Sequence, residues 1–203
     1  MIDEIVTDYR LVEELGRGSC GVVYRGVHTK APGIEVAIKV VDHVLSGKRE
    51  LVDALLRECE ILHRLDHPGI VRLRHVEPST TRTAMIMDLM SGRSLQQLLG
   101  GGPMPARLVV EILEQVLDAL AYAHRQDLVH RDIKPSNVFV CSDARVRLLD
   151  FGVATALEDL AAVREARGTA DFMAPERFDG FSPPASDVYA VGLLAWQMAA
   201  GKK

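Results

Sequence analysis

Apolar positions recur along this chain with two distinct periods. Over residues 49–65, Leu51, Leu55, Leu56, Cys59, Leu62 and Leu65 return at steps of three and four, the spacing of one helix face. His67-Pro68-Gly69 stops that helix. Residues 106–124 carry the clearest stripe, formed by Leu108, Ile112, Leu113, Val116, Leu117 and Leu120. Residues 186–200 read as an apolar, buried helix. Shorter apolar runs read as strands. They cover 9–28 around a glycine cluster, with Leu11, Val22, Val23 and Tyr24, and 34–42 around Val36-Ala37-Ile38. Further strand-like runs lie at 70–76, 83–90, 137–141 and 145–149, the last two joined by a turn at Ser142-Asp143. Residues 29–33, with Pro32-Gly33, read as a hairpin loop, and residues 100–105 as a loop marked by Pro103 and Pro105. Residues 153–183 have weak periodicity and read mostly as loop. Strands dominate the first part and helices the second, with a boundary near Ser91-Gly92. The pattern predicts an α+β protein of two lobes with a cleft between them.

Composition narrows the function classes. The chain has 203 residues, 48% hydrophobic and 26% charged, with 24 Lys+Arg against 28 Asp+Glu. A chain of this length buries roughly 70% of its unfolded surface and needs no metal or disulfide staple. The net charge of −4 argues against a nucleic-acid binder, which needs a basic face. Cys20, Cys59 and Cys141 form no Cys-x-x-Cys pair, an odd scattered set that fits thiols in a reducing compartment. The N-terminus, MIDEIVTDYR, is acidic and broken by charges, unlike a signal peptide. The longest apolar run, within 188–198, is too short to span a bilayer. The expectation is a cytoplasmic protein with no membrane segment.

Five motifs carry chemistry. Gly16-Arg17-Gly18-Ser19-Cys20-Gly21 lies between two strands, not before a helix, which argues against a dinucleotide-binding unit. A hairpin without side chains at 16, 18 and 21 can lay backbone N–H groups over phosphates; by itself it is equally well a tight turn. Lys39 ends the apolar run Val36-Ala37-Ile38 and can hold phosphate oxygens or be a solvated edge residue. Glu58, on the 49–65 helix, is a candidate to orient it, whereas Glu60, two residues on, faces elsewhere. His130-Arg131-Asp132-Ile133-Lys134-Pro135-Ser136-Asn137 is far more specific. It packs a carboxylate, an ammonium and an amide into six residues, the groups phosphoryl transfer asks for. Asp132 can orient an attacking hydroxyl, Lys134 can neutralise phosphoryl charge, and Asn137 can offer an oxygen to Mg²⁺. Asp150-Phe151-Gly152 sets a carboxylate at a strand end before a glycine, and Ala174-Pro175-Glu176 follows Gly168-Thr169.

In this order, the motifs resemble those of the protein kinase catalytic domain over about residues 9–201. The resemblance implies a bilobal protein-kinase-like α+β fold: a lead at 1–8, an N-lobe at 9–90 with an antiparallel sheet and one helix, and a partial, mainly helical C-lobe at 91–203. It implies ATP and Mg²⁺ as cofactors. Gly16, Gly18 and Gly21 would cover the phosphates, and Lys39 would contact them and pair with Glu58. Asp132 would be the catalytic carboxylate assisted by Lys134, and Asn137 and Asp150 would hold Mg²⁺. Val23, Ala37 and Phe139 would sandwich the adenine, Asp88 and Met90 would meet it through their backbones, and Met87 would back the pocket. Asp187 would anchor the catalytic loop, and Leu62, Leu73, His130 and Phe151 would stack as an apolar column. Lys134, two residues after Asp132, and Gly168-Thr169 before Ala174 resemble Ser/Thr kinases, so the expected partners are proteins with Ser or Thr.

Two departures matter. In the family several more helices follow the one holding Asp187, so the chain reads as C-terminally truncated. Apolar surface on helices 106–124 and 186–200 is then expected to be exposed and to favour self-association. The only hydroxyl residues of the 150–176 segment are Thr155 and Thr169, and Glu165 could pair with Arg131 in place of a phosphate or be a solvated loop charge. Cys20 is either a redox-sensitive thiol at the loop tip or a small neutral residue. The function expected is Ser/Thr protein kinase. The alternatives are a nucleotide-binding but catalytically disabled module and a small-molecule phosphotransferase of related fold; the Gly168-Thr169 to Glu176 segment, which resembles a peptide-docking segment, argues against the latter.

Overall fold

The computed structural model describes residues 1–18, 21–42, 49–79, 81–151 and 170–201. They group into two compact units. One holds residues 1–64 and 72–90, the other residues 65–71, 91–151 and 170–201.

The first unit is a six-stranded sheet with one helix. Its strands are β1 (Ile5–Val6), β2 (Tyr9–Gly18), β3 (Gly21–His28), β4 (Glu35–Asp42), β5 (Leu73–Pro78) and β6 (Arg82–Asp88). All neighbours are antiparallel, in the order β1-β2-β3-β4-β6-β5. Alternation sorts β4 into two faces. Val36, Ile38 and Val40 join Leu11, Tyr24, Ala84, Ile86 and Val6 in one buried cluster. Ala37 and Lys39 face the other way. Directly opposite partners in a ladder share a face, and Lys39 is opposite both Val23 and Met85, while Ala37 is opposite Met87. Gly26 packs closely against the Ile38 and Val36 side chains, where a Cβ would stand 2.6 Å from Ile38 Cδ1. The first residues join the sheet: Asp3 N–H donates to the Leu11 carbonyl at 2.8 Å, and Arg82 pairs with Glu4.

Helix α1 (Arg49–Arg64) packs on β5, with Leu55, Cys59 and Leu62 buried and Glu60 exposed. His63 Nδ1 is 3.0 Å from the Leu73 carbonyl. The strands expected at 70–76 and 83–90 are shifted to 73–78 and 82–88. The reason is that 70–71 pair elsewhere: Val71 N–H donates to the Leu148 carbonyl, and Ile70 bridges Leu148, both within the second unit.

The second unit has a three-stranded sheet, β7 (Gly92–Ser94), β8 (Val138–Cys141) and β9 (Val146–Leu148), with helices α2 (Leu95–Leu99), α3 (Ala106–His124) and α4 (Pro184–Ala200). Strand β7 and α2 have no counterpart in the sequence reading. Their signal was the Ser94-x-x-Gln97 capping box: Ser94 N–H donates to Gln97 Oε1 at 2.9 Å, and Gln97 N–H to Ser94 Oγ at 3.3 Å. Helix α3 has the expected bounds but a rotated stripe. Val109, Ile112, Val116, Ala119, Leu120 and Ala123 are buried, while Leu108 and Leu117 are exposed. Helix α4 is buried on one face only, with Val188, Tyr189 and Trp196 exposed. Part of the 153–183 stretch is short 3-10 helix, at Ala170–Phe172 and Pro175–Asp179, and residues 152–169 lie outside the described residues. Among the described residues no helix is long and apolar enough to cross a membrane.

Cys59 offers a direct test of the first unit's packing. It is 1% exposed, its Sγ lies 3.5 Å from Met85 Sδ, and its thiol is pushed up to about 12, first by burial and then by the Glu58 charge. The thiolate is the reactive form. Iodoacetamide at pH 8 should therefore leave Cys59 unmodified in the native protein and alkylate it in urea. Modification at equal rates in both would contradict this packing.

Candidate active site

The β2–β3 hairpin brings Gly18 opposite Gly21 and Gly16 opposite Val23. A Cβ at Gly21 would stand 2.2 Å from the Val40 carbonyl oxygen, and φ there is +126°, so this glycine is a structural necessity. Among the described residues, a Cβ at Gly16 or Gly18 would meet nothing within 4 Å. Their smallness is not demanded by packing and leaves the hairpin backbone open to a ligand. Lys39 is 3% exposed on the face it shares with Val23 and Met85. Lys39 and Glu58 lie in one neighbourhood, because the Cys59 thiol feels both charges: Glu58 raises its pKa and Lys39 lowers it. Burial of a lysine this deep is costly without compensating charge. Met87 is buried at the end of β6. The Asp88 N–H already donates to the Arg72 carbonyl at 3.1 Å, so Asp88 could meet a base only through its carbonyl; Met90 is half-buried just beyond.

In the second unit, the loop from His130 to Asn137 folds on itself through side chains. Asp132 Oδ2 is 2.7 Å from Lys134 Nζ and accepts from Asn137 Nδ2 at 2.8 Å. Asn137 Nδ2 also donates to the Asp132 carbonyl at 2.8 Å. Asp132 Oδ1 is buried and has no hydrogen-bond partner among the described residues. One oxygen of the carboxylate is thus tethered and the other is left to accept. With both Nδ2 bonds spent, Asn137 keeps Oδ1 for another partner; among the described residues Ser136 Oγ lies 3.5 Å from it. Asp150 follows β9 in a left-handed conformation, φ 58°, a strained backbone for a residue other than glycine. The amide oxygen of Asn137 and the carboxylate of Asp150 are hard oxygen donors. They suit Mg²⁺, which uses one or two protein ligands together with substrate phosphates. No group of three His, Cys, Asp or Glu side chains converges as a metal site among the described residues.

The loop is pinned from beneath by Asp187, 1% exposed in the first turn of α4. Asp187 Oδ2 accepts from the His130 N–H at 2.8 Å, and Oδ1 accepts from the Arg131 N–H at 2.9 Å. His124 Nε2, from the last turn of α3, lies 2.8 Å from Oδ2. The His130 ring is oriented on both sides: Nε2 donates to the Leu149 carbonyl at 2.9 Å, so Nδ1 accepts from the Asp132 N–H at 3.3 Å. It packs on Phe151 with ring centroids 4.4 Å apart. Burial, partly offset by Asp187 and Asp132, lowers the His130 pKa and keeps the ring neutral.

Of the residues singled out from sequence, Val23, Ala37, Lys39, Glu58, Met87, Asp88 and Met90 lie in the first unit with the glycine hairpin. Asp132, Lys134, Asn137, Phe139 and Asp150 lie in the second, where the first three are directly bonded. Phe139 sits on β8 opposite Ser94, and a Cβ at Gly92 would come within 2.9 Å of its ring. Leu62 and Leu73 are buried in the first unit, and His130 and Phe151 stack in the second. Cys20, Thr155, Glu165, Gly168 and Thr169 lie outside the described residues. Sequence reasoning missed His124, whose partner is 63 residues away. It also missed Ser186, which donates to Glu176 Oε1 at 2.7 Å.

Comparison with known proteins agrees with this geometry. The protein kinase domain model matches residues 9–203. The chain is 34% identical to the serine/threonine-protein kinase pkn2 of Myxococcus xanthus, over 98% of this chain and 25% of that protein. It is 34% identical to PknL of Mycobacterium tuberculosis over 95% of this chain and 49% of that protein. With PkaA of Streptomyces coelicolor the identity is 35%, over 96% and 39%. The chain thus spans a quarter to about half the length of these relatives. The crystal structure of the Mycobacterium tuberculosis PknI kinase domain, C20A mutant, superposes with a TM-score of 0.82 at 28% identity, covering 100% of this chain and 77% of that one. A glycine hairpin beside a buried lysine, a tethered Asp132 and a family match over nearly the whole length lead to one conclusion: the chain belongs to the protein kinase domain family.

Proposed function

We propose that the protein of which this chain forms part transfers the γ-phosphoryl group of ATP to serine or threonine hydroxyls of other proteins. The observation that carries this reading is the divided state of Asp132. Its Oδ2 is held by Lys134 and Asn137, while Oδ1 is left to accept a hydrogen bond. A substrate hydroxyl donating to Oδ1 would be oriented for in-line attack on the γ-phosphorus, its proton passing to that oxygen as the bond from the γ-phosphorus to the bridging oxygen breaks and ADP leaves. The Lys134 ammonium supplies positive charge beside the transferred group. Asn137 and Asp150 would hold Mg²⁺, which when bound neutralises phosphate charge. Lys39, oriented by Glu58, and the hairpin of Gly16, Gly18 and Gly21 would hold the phosphates. Val23, Ala37, Met87, Asp88, Met90 and Phe139 would hold the base. Lys134 two residues after Asp132, and the names of the relatives, support Ser/Thr rather than Tyr as the acceptor. The scattered cysteines support a cytoplasmic location, and the exposed Val188, Tyr189 and Trp196 support self-association. The lead at 1–8, N-lobe at 9–90 and partial C-lobe from 91 remain the proposed organisation.

Asp132→Asn should lower phosphate transfer to a generic basic protein by about 100-fold or more, the usual worth of a general base. ATP with Mg²⁺ should still raise the melting temperature of the variant. Unchanged transfer would overturn the reading, whereas loss of transfer together with unfolding would make Asp132 structural. The His130 pKa lies below that of the unfolded chain, so protonation favours unfolding. The contribution of the neutral ring is complete above about pH 6.5 and is lost as pH falls below it. Urea midpoints should drop between pH 7.5 and pH 5.5, and His130→Phe should flatten that drop.

A further inference from the structure

Two consecutive residues of α4 hold two different segments. Asp187 takes the backbone of the catalytic loop at His130 and Arg131. Ser186, 3% exposed, donates from Oγ to Glu176 Oε1 at 2.7 Å. Glu176 is held below the usual carboxylate range by its own backbone N–H and then by the Ser186 hydroxyl. The turn it belongs to closes on itself: the Phe181 N–H donates to the Glu176 carbonyl at 3.2 Å, and the Gly180 N–H to the Arg177 carbonyl at 3.1 Å. Ser186 is in the first turn of a 17-residue helix, where the positive end of the helix dipole also favours the carboxylate. The two segments meet in space. A cavity of about 10 Å³, the size of one water, is lined by Arg131 and Asp132 of the loop, Phe172 and Arg177 of the other segment, and Ser186 and Asp187.

We infer that Ser186 is a positioning residue: through Glu176 it fixes the 170–181 segment against the catalytic loop, so that one turn of α4 sets where a substrate hydroxyl arrives relative to Asp132. This rests on the kinase reading above, in which that segment docks the protein substrate. The chain of contacts is Glu176 to Ser186, then by one peptide bond to Asp187, then to the loop amides beside Asp132. Ser186 touches neither substrate nor reacting atoms. Its loss should therefore appear in binding of the protein substrate and not in the chemical step.

The test uses the full-length protein and a Ser-containing peptide substrate. Ser186→Ala should raise the peptide KM by about 10-fold or more, the worth of one hydrogen bond to a charged group, with kcat and the KM for ATP within about twofold. Ser186→Thr, which keeps the hydroxyl, should restore the peptide KM. Glu176→Ala should reproduce the defect, and the double variant should be no worse than either single. Amide exchange supplies a readout free of catalysis. In Ser186→Ala the Gly180 and Phe181 amides should exchange faster by about tenfold, while those of His130 and Arg131 keep their protection. An unchanged peptide KM, additive single variants, or unchanged exchange at 180–181 would overturn the inference. A wild-type protein that transfers no phosphate would overturn the kinase reading alone, and the exchange measurement would still decide whether Ser186 holds the segment.

Discussion

The loop from His130 to Asn137 depends on one buried carboxylate. Asp187 is almost wholly withdrawn from water, and it keeps its place by receiving N–H groups from two backbone amides and a histidine ring. A charge buried this way is tolerated only when its oxygens are satisfied. The bargain runs in both directions. Arg131 sits in the left-handed region at φ 67°, which costs roughly 1–3 kcal/mol for a residue with a side chain. The bond from its N–H to Asp187 holds it there. The sharp turn this permits places Asp132 next to Lys134 and Asn137.

From that constraint the local electrostatics follow. The tethered oxygen of Asp132 is compensated by the Lys134 ammonium, so the other oxygen can stay buried as an acceptor. His130 is neutral because burial outweighs the carboxylates around it, and a neutral ring can serve as donor to Leu149 and acceptor from Asp132 together. A protonated ring would lose the acceptor. In the first unit Lys39 is buried, and the Cys59 thiol, which feels both the Glu58 and the Lys39 charge, is held protonated by burial.

Much of the fold was legible because the elements have strong periods. Helices 49–65 and 106–124 appear within a residue of their expected ends. The phase of the α3 stripe was not. Counting leucines put Leu108 and Leu117 inside, whereas the buried face uses the small Ala119 and Ala123, where close approach matters more than size. On α4 the sequence is apolar all round, so periodicity alone does not say which face is covered. Strand β7 and helix α2 are too short for a period, and only the Ser94–Gln97 cap marked them. The apolar run at 70–76 looked like one strand because sequence does not reveal that Ile70 and Val71 pair with Leu148. The loop from His130 to Asn137 was legible since its bonded side chains lie within six residues. His124 and Ser186 were not, because their partners are set by tertiary packing.

The central claim is that Asp187 holds the loop geometry from which Asp132 is proposed to act. The most direct measurement is amide exchange at His130 and Arg131 beside phosphate transfer in full-length Asp187→Asn. Breaking a buried charged network typically costs about 3–5 kcal/mol. The account predicts that both amides lose protection and that transfer falls by about 100-fold or more, while amides of β4 exchange as before. Retained protection at 130–131 with undiminished transfer would contradict it.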